Sequence, residues 1–258
     1  MGDLFDVSGK TALVTGGSRG IGLMIARGLL QAGARVIVAS RKSNDVQAAA
    51  QELAGLGDCH AIPGDVSSPE GALKLAQATR AHFEGLDILV NNAGAGWGAP
   101  LEEFPASGWD KVAHTNVEGV FHLTVALLPA LRAAADAADP ARVINIGSID
   151  GLRTPSLENY SYSASKAAVH MLTRHLAKRL AAEHITVNAI APGPFQSKMT
   201  AFMLDDPEAR EMVEQMVPLG RIGNPDDVAG LTLFLASRAG SYLTGAVIPL
   251  DGGITGCN

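Results

Sequence analysis

The chain has 258 residues, 47% apolar and 18% charged, with a formal net charge of -6. So much apolar content with so little net charge excludes a disordered chain. No uninterrupted apolar run reaches the roughly 20 residues a bilayer requires, and Cys59 and Cys257 are too few for a disulfide scaffold. A sequence pI near 5.6 argues against nucleic acid as the main partner. The 29 glycines beside only 5% aromatic residues point to tight turns and close backbone approaches.

From Met1 to Asp6 there is neither the basic start nor the apolar stretch of a signal peptide. Asp6 stands where a myristoylation signal needs Ser or Thr. The expected location is the cytoplasm, with no membrane partner. Asn159-Tyr160-Ser161 fits a glycosylation sequon, which only a secreted chain would use.

Short apolar runs read as buried parallel strands at Thr11 to Thr15, Arg35 to Ala39, Ala61 to Gly64, Ile88 to Asn91, Val143 to Ile146, Thr186 to Ile190 and Val247 to Leu250. Helical patterns lie between them, from about Gly20 to Ala32, Asn44 to Leu56, Glu70 to Phe83, Val117 to Ala135 and Ser161 to Ala182. Alternation of this kind predicts right-handed crossovers and an α/β, doubly wound fold: a seven-stranded parallel sheet with helices on both faces. No repeat or linker interrupts it, so residues 1–258 are expected to form one domain. Ligands on such sheets sit at the carboxyl ends of the strands.

The first strand ends in Thr15-Gly16-Gly17-Ser18-Arg19-Gly20-Ile21-Gly22 and a helix follows. Glycines let a phosphate approach the backbone, and the helix start offers free N–H groups. This context favours nucleotide binding over an ordinary βα turn. After the second strand comes Ser40-Arg41-Lys42, with no carboxylate to bind a ribose 2′-hydroxyl. Arg41, with Arg19 from the glycine turn, suits a 2′-phosphate, so NADP(H) is the expected cofactor.

These residues resemble the short-chain dehydrogenase/reductase family over essentially the whole chain. Thr15 to Gly22 is similar to its Thr-Gly-x-x-x-Gly-x-Gly, and Asn91-Asn92-Ala93-Gly94 to its Asn-Asn-Ala-Gly. The resemblance implies a Rossmann-like fold, a catalytic tetrad of Asn116, Ser148, Tyr162 and Lys166, and a homo-oligomer, dimer or tetramer. It implies that Gly16, Ser18, Arg19, Gly20, Ile21 and Gly22 hold the cofactor with Ser40 and Arg41. Asp65-Val66 would contact the adenine. Asn92, Ala93 and Gly94, with Tyr162 and Lys166, would lie along the cofactor, and Pro192, Gly193, Phe195 and Ser197 beside its nicotinamide. Within the family the chain looks most like β-ketoacyl reductases, especially those of rhamnolipid synthesis. The stretch from Ser148 to Tyr162 is one residue longer than is usual there. Asp136, Asp139 and Glu183 lie around the places where such reductases often offer basic residues to an acidic carrier. Carrier-free thioesters are therefore expected to serve at least as well as acyl carrier protein.

Tyr162 and Lys166, four apart, share one helix face. An ammonium there favours the phenolate, and bringing a phenol near neutrality takes about 4 kcal/mol of differential interaction. Tyr162 would then act as general acid in reduction and general base in oxidation. Tyr160, six residues before Lys166, is expected to pack or to line the substrate loop. The Ser148 hydroxyl can donate to a carbonyl oxygen as charge develops on it. Asn116 in its own context reads as a helix cap; the family implies that it holds a water leading to Lys166. The seven histidines show no metal-ligand spacing, so no metal is expected. Residues 194–217 carry Phe195, Met199, Phe202, Met203, Leu204, Met212 and Met216. They read as an apolar lid or as a plain amphipathic helix packed on the core, and Trp97 as a second pocket wall.

The expected activity is reduction of a 3-oxoacyl thioester by NADPH. The alternatives are an NADP(H)-dependent dehydrogenase for a free hydrophobic ketone and a non-catalytic nucleotide-binding protein. The last would be expected to lack Tyr162, Lys166 or Ser148.

Overall fold

The computed structural model describes residues 4–198 and 200–257. Seven parallel strands form one sheet: β1 (Thr11–Thr15), β2 (Arg35–Ser40), β3 (Cys59–Pro63), β4 (Ile88–Asn91), β5 (Ala141–Ile146), β6 (Ile185–Pro192) and β7 (Val247–Leu250). Their order is β3-β2-β1-β4-β5-β6-β7. The strand order reverses between β1 and β4, where a crevice opens at the carboxyl edge.

Alternate strand residues serve opposite faces, so each strand supplies two cores. On one face Val14, Val36, Val38 and Val90 pack under α1 (Gly20–Gln31), α2 (Ser43–Leu53) and α9 (Pro225–Ala236). On the other, Leu13, Ile37, Leu89 and Val143 pack under α3 (Pro69–His82), α5 (Gly119–Ala134) and α6 (Tyr160–Leu180). Helix starts follow their local signals. Ser68 accepts from Gly71 N–H before Pro69, and Asn224 and Asp227 form a capping box around Pro225.

A buried polar ladder crosses the second core. Asn91 Nδ2 donates to Asn145 Oδ1 (2.9 Å) and Thr124 Oγ1 (3.1 Å), and Asn145 Nδ2 donates to Thr173 Oγ1 (2.9 Å). It bonds the ends of β4 and β5 to both site-bearing helices. Satisfied buried networks of this kind hold elements in one arrangement.

The helix expected from Val117 begins earlier. α4 (Ala106–Ala113) runs through a π-helical segment (His114–Glu118) into α5. Asn116 is therefore inside this rod and is not a cap. A Cβ on Gly119, the residue after the π turn, would stand 2.6 Å from the Val66 carbonyl oxygen, so glycine lets the rod pass close to the loop after β3. The 29-residue rod is long and apolar enough to cross a bilayer. Its inner stripe of Leu123, Leu127 and Leu131 is fully buried, as in a core helix.

Candidate active site

The glycine turn is built by its neighbours. Gly16 and Gly20 have φ of +64° and +54°, a region L side chains disfavour. A Cβ on Gly16 would stand 2.7 Å from Asn92 Nδ2. Asn92 Nδ2 donates to the Thr15 and Gly16 carbonyls at 2.8 and 3.2 Å, and Thr15 Oγ1 accepts from the N–H groups of Asn92 and Ala93, both at 3.0 Å. The Asn92 side chain thus braces the turn across the β1–β4 crevice. Ser18 and Ile21 are half-buried, Gly22 is buried, and Arg19 is exposed at the start of α1. Ser40 and the exposed Arg41 close β2 beside this turn, whose Gly17 N–H donates to the Ala39 carbonyl at 3.2 Å. Asp65 is exposed past β3, with Oδ1 accepting from Ser67 N–H, while Val66 is buried against Gly119.

Ser148, Tyr162, Lys166 and Asn116 converge on the crevice from β5, α6 and the π segment. Lys166 Nζ donates to the Ile146 carbonyl at 2.7 Å and lies 5.5 Å from the Tyr162 ring centroid. A Cβ on Gly94 would be 3.8 Å from Lys166 Nζ and 3.5 Å from Asn116 Oδ1, so the three meet at one point. Asn116 accepts from Ala95 N–H (2.8 Å) and donates to the Ala95 carbonyl and Ser165 Oγ, both at 2.9 Å. The Ser165 hydroxyl then donates to the Tyr162 carbonyl at 2.7 Å. This links the loop after β4 to the tyrosine helix. Ser148 Oγ accepts from Asp150 N–H at 3.1 Å.

The electrostatics differ from expectation. Burial pushes the Tyr162 phenol up to about 12, against the lowering effect of its hydrogen bond with Ser148, and nearby Asp150 raises it further. Burial pushes Lys166 down to about 8, with Asp150 opposing. In the protein without ligand, desolvation outweighs the expected pull of the ammonium on the phenol. His170 lies one turn beyond Lys166 on α6. Its buried ring nitrogens lack partners and burial pushes it down to about 4, so it is a neutral wedge against Gly147 and Gly151.

At the end of β6, Gly193 N–H donates to the Leu250 carbonyl at 2.9 Å, and a Cβ there would press on Asp251. Pro192 and Gly193 thus form a tight exit towards the lid. The Phe195 ring is buried against Gly223, leaving backbone on the crevice side, and its carbonyl accepts from Thr200 Oγ1 at 2.6 Å. Ser197 reaches the glycine turn, 3.1 Å from where a Gly20 Cβ would be. Beyond α7 (Ala201–Leu204), α8 (Pro207–Gln215) has no buried residue, so it does not pack on the core. Met212 and Met216 are exposed and Leu204 is buried. Met199 lies outside the described residues, as do the side chains of Phe202 and Met203. Trp97 rests against Gly108 and under Lys111, and Tyr160 stacks edge-on with Phe104 at 5.6 Å, away from Lys166.

The acids expected to face a carrier are elsewhere. Asp139 pairs with Lys10 (2.6 Å) and Arg142 (3.0 Å), Glu183 binds Arg132 and Arg179 (both 2.6 Å), and Asp136 accepts from two backbone N–H groups. All lie before β5 or β6, at the amino edge of the sheet, opposite the crevice. Neutralised and remote, they give no electrostatic ground for preferring one thioester carrier. The sequon at Asn159 is likewise engaged, because its Nδ2 donates to Asp150 Oδ2 at 3.1 Å.

A doubly wound sheet with a braced glycine turn and a Ser–Tyr–Lys cluster at its switch point defines a dinucleotide-dependent class of protein. A family model described as enoyl-(acyl carrier protein) reductase matches residues 16–255. The chain belongs to the short-chain dehydrogenase/reductase family. It is 53% identical over 249 residues to the rhamnolipids biosynthesis 3-oxoacyl-[acyl-carrier-protein] reductase of Pseudomonas aeruginosa, covering 96% of this chain and 97% of that one. A solved Pseudomonas aeruginosa RhlG/NADP active-site complex superposes with a TM-score of 0.96 at 52% identity, over 99% of this chain and 100% of that one. The 3beta-hydroxysteroid dehydrogenase 1 of Eggerthella lenta is 39% identical over 97% of this chain and 95% of its own.

Proposed function

We propose that this chain is an NADPH-dependent reductase that converts 3-oxoacyl thioesters to 3-hydroxyacyl thioesters. The observation that carries this reading is the convergence of Ser148, Tyr162 and Lys166 beside a glycine turn flanked by Arg19 and Arg41. The likeness to the Pseudomonas aeruginosa reductase supports the substrate class.

The residues present fit the cofactor. Gly16, Ser18, Gly20, Ile21 and Gly22 would receive its phosphates, with Asn92 bracing the turn. Arg19, Ser40 and Arg41 would take the 2′-phosphate, and Asp65 and Val66 would flank the adenine. Ala93, Gly94, Pro192, Gly193, Phe195 and Ser197 would line the nicotinamide half, with Lys166 on its ribose. When bound, NADPH supplies the hydride for the substrate's C3 carbon. Ser148 Oγ donates a hydrogen bond to the carbonyl oxygen, steadying the charge that develops there. Tyr162 gives its phenolic proton to that oxygen. Lys166 places positive charge beside the phenolate that results, and Asn116 holds the loop at Ala95 against the tyrosine helix.

The whole chain works as one domain, with residues 194–217 as its lid. Exposed Met212 and Met216 of this segment and Leu219 just beyond it, with Leu152 and Leu157 of the loop after Ser148, give apolar surface for an acyl chain. Trp109, Phe121, Val125 and Met171 are exposed on α4, α5 and α6. A second copy of the chain covers that face in a dimer or tetramer, which sedimentation would detect. The working compartment is the cytoplasm.

The test is NADPH oxidation against 3-oxoacyl thioesters and free hydrophobic ketones, including a steroid ketone. Turnover of thioesters well above free ketones supports the reading. The reverse order moves the substrate to a free ketone.

A further inference from the structure

A run of hydrogen bonds joins the Ser148 hydroxyl to the backbone of Tyr162 through a pair that lies beside the site. Ser148 Oγ accepts from Asp150 N–H at 3.1 Å. The Asp150 carboxylate accepts from Asn159 Nδ2 at 3.1 Å. The Asn159 carbonyl accepts from Tyr162 N–H at 2.8 Å and from Ser163 N–H at 3.1 Å. Asn159 is the residue that opens α6, so its backbone sets where the first turn, and with it Tyr162, begins. Asp150 belongs to the single turn after β5 that carries Ser148.

The contact spans nine residues and closes the base of a largely exposed loop in which Leu152 and Leu157 face solvent. Packing at Gly151, where a Cβ would stand 2.6 Å from Lys166 and Ala167 backbone atoms, ties the turn to the middle of α6, but the start of α6 has still to be held in register with Ser148. A half-buried hydrogen bond to a charged group is strong enough to do so, since such bonds contribute roughly 1.5–3 kcal/mol. The direction of the bonds also matters. Because Ser148 Oγ accepts from Asp150 N–H, the hydroxyl is held on the side of the turn that meets Tyr162. Because Asp150 is anchored by Asn159, its charge stays near Tyr162, where it favours the protonated phenol.

We propose that Asp150 and Asn159 are a positioning pair that sets the Ser148 hydroxyl against the Tyr162 hydroxyl for proton delivery to the carbonyl oxygen. Neither residue touches substrate. The inference rests on the reductase reading above, with Ser148 and Tyr162 in the roles given there.

The test uses Asp150→Ala, Asn159→Ala, the double variant and the exchanged pair Asp150→Asn/Asn159→Asp in the full chain. Each is compared with the wild-type enzyme on whichever ketone the wild type reduces best. NADPH affinity and the melting temperature are measured alongside. Each single variant is expected to lower kcat about ten- to a hundredfold, the scale of a displacement near 1 Å, with KM and NADPH affinity little changed. The double variant should be no slower than the slower single, because both break one link. The exchanged pair rebuilds the bond and should recover to within about threefold of wild type. Single variants at wild-type kcat, multiplying losses in the double, or an exchanged pair as slow as the double would each overturn the proposal. A wild type inactive on 3-oxoacyl thioesters but active on another ketone refutes the substrate reading alone and leaves this comparison intact.

Discussion

Lys166 and Tyr162 share a helix face, yet the ammonium bonds to a strand and not to the phenol. Its Nζ donates to the Ile146 carbonyl at 2.7 Å and stays 5.5 Å from the tyrosine ring centroid. The lysine is thereby a fixed positive charge at the end of β5, placed to act on whatever charge Tyr162 acquires during a reaction. Without ligand, burial dominates both groups.

A pH dependence follows. In the proposed reaction, reduction uses a protonated Tyr162 and a charged Lys166. With Tyr162 near 12 the phenol keeps its proton throughout the working range. With Lys166 near 8 the ammonium loses its proton as pH rises through that value. Reductive kcat/KM, which reports the free enzyme, should therefore be level below neutrality and fall above pH about 8. A pH profile of kcat/KM for NADPH, taken at saturating ketone, checks it; a fall on the acid side only would reverse the assignment.

Tyr162→Phe should lose about 10²- to 10⁴-fold in kcat, the usual worth of a positioned acid, while still binding NADPH. Tyr160→Phe should stay active, because its ring stacks on Phe104 and its hydroxyl bonds Glu158. Steady-state kinetics with a fluorescence titration of NADPH separates the two. An active Tyr162→Phe enzyme contradicts the role given to that hydroxyl.

The seven strands were legible because parallel strands covered on both faces read as near-continuous apolar runs, and the glycine turn because strand, glycines and helix follow in order. The site residues Ser148, Tyr162 and Lys166 come together as their placement after β5 and their four-residue spacing imply. Other features carry no local signal. The π segment around Asn116 lies beside Gly119, which passes close to Val66 in a loop distant in sequence. The Asn91–Asn145–Thr173 ladder and the Asp150–Asn159 contact are pairings of ordinary polar residues, visible only after folding. Asp139 and Glu183 looked like free acids because Lys10 and Arg132 are remote in sequence, although Arg142 and Arg179 stand only three and four residues from them.

Cofactor choice should follow the exposed arginines. A lost charge-assisted contact costs roughly 1.5–3 kcal/mol, so Arg41→Asp should cut kcat/KM with NADPH by about ten- to a hundredfold and spare NADH. Paired kinetics with the two cofactors measures this. Equal wild-type efficiency with both would remove the role of Arg19 and Arg41.

Arg142 supports the opposite edge of the sheet. Its guanidinium is 1% exposed, donates to the Ser237 and Pro140 carbonyls and pairs with Asp139. Arg142→Ala leaves the two carbonyls without that donor, while Asp139 keeps Lys10, and should cost about 1–3 kcal/mol of stability. Thermal unfolding should show a clear drop in melting temperature, with KM little changed in the folded fraction because the site is at the other edge. A variant with wild-type stability would contradict this.

The most direct test of the account is NADPH oxidation with a 3-oxoacyl thioester series of increasing chain length, run beside matched 2-enoyl thioesters, with the product identified. The account predicts 3-hydroxyacyl products and a kcat/KM that rises by up to about fourfold per methylene, the equivalent of about 0.8 kcal/mol per buried CH₂, until the apolar pocket is filled. Reduction of the enoyl series in preference to the 3-oxoacyl series would contradict it.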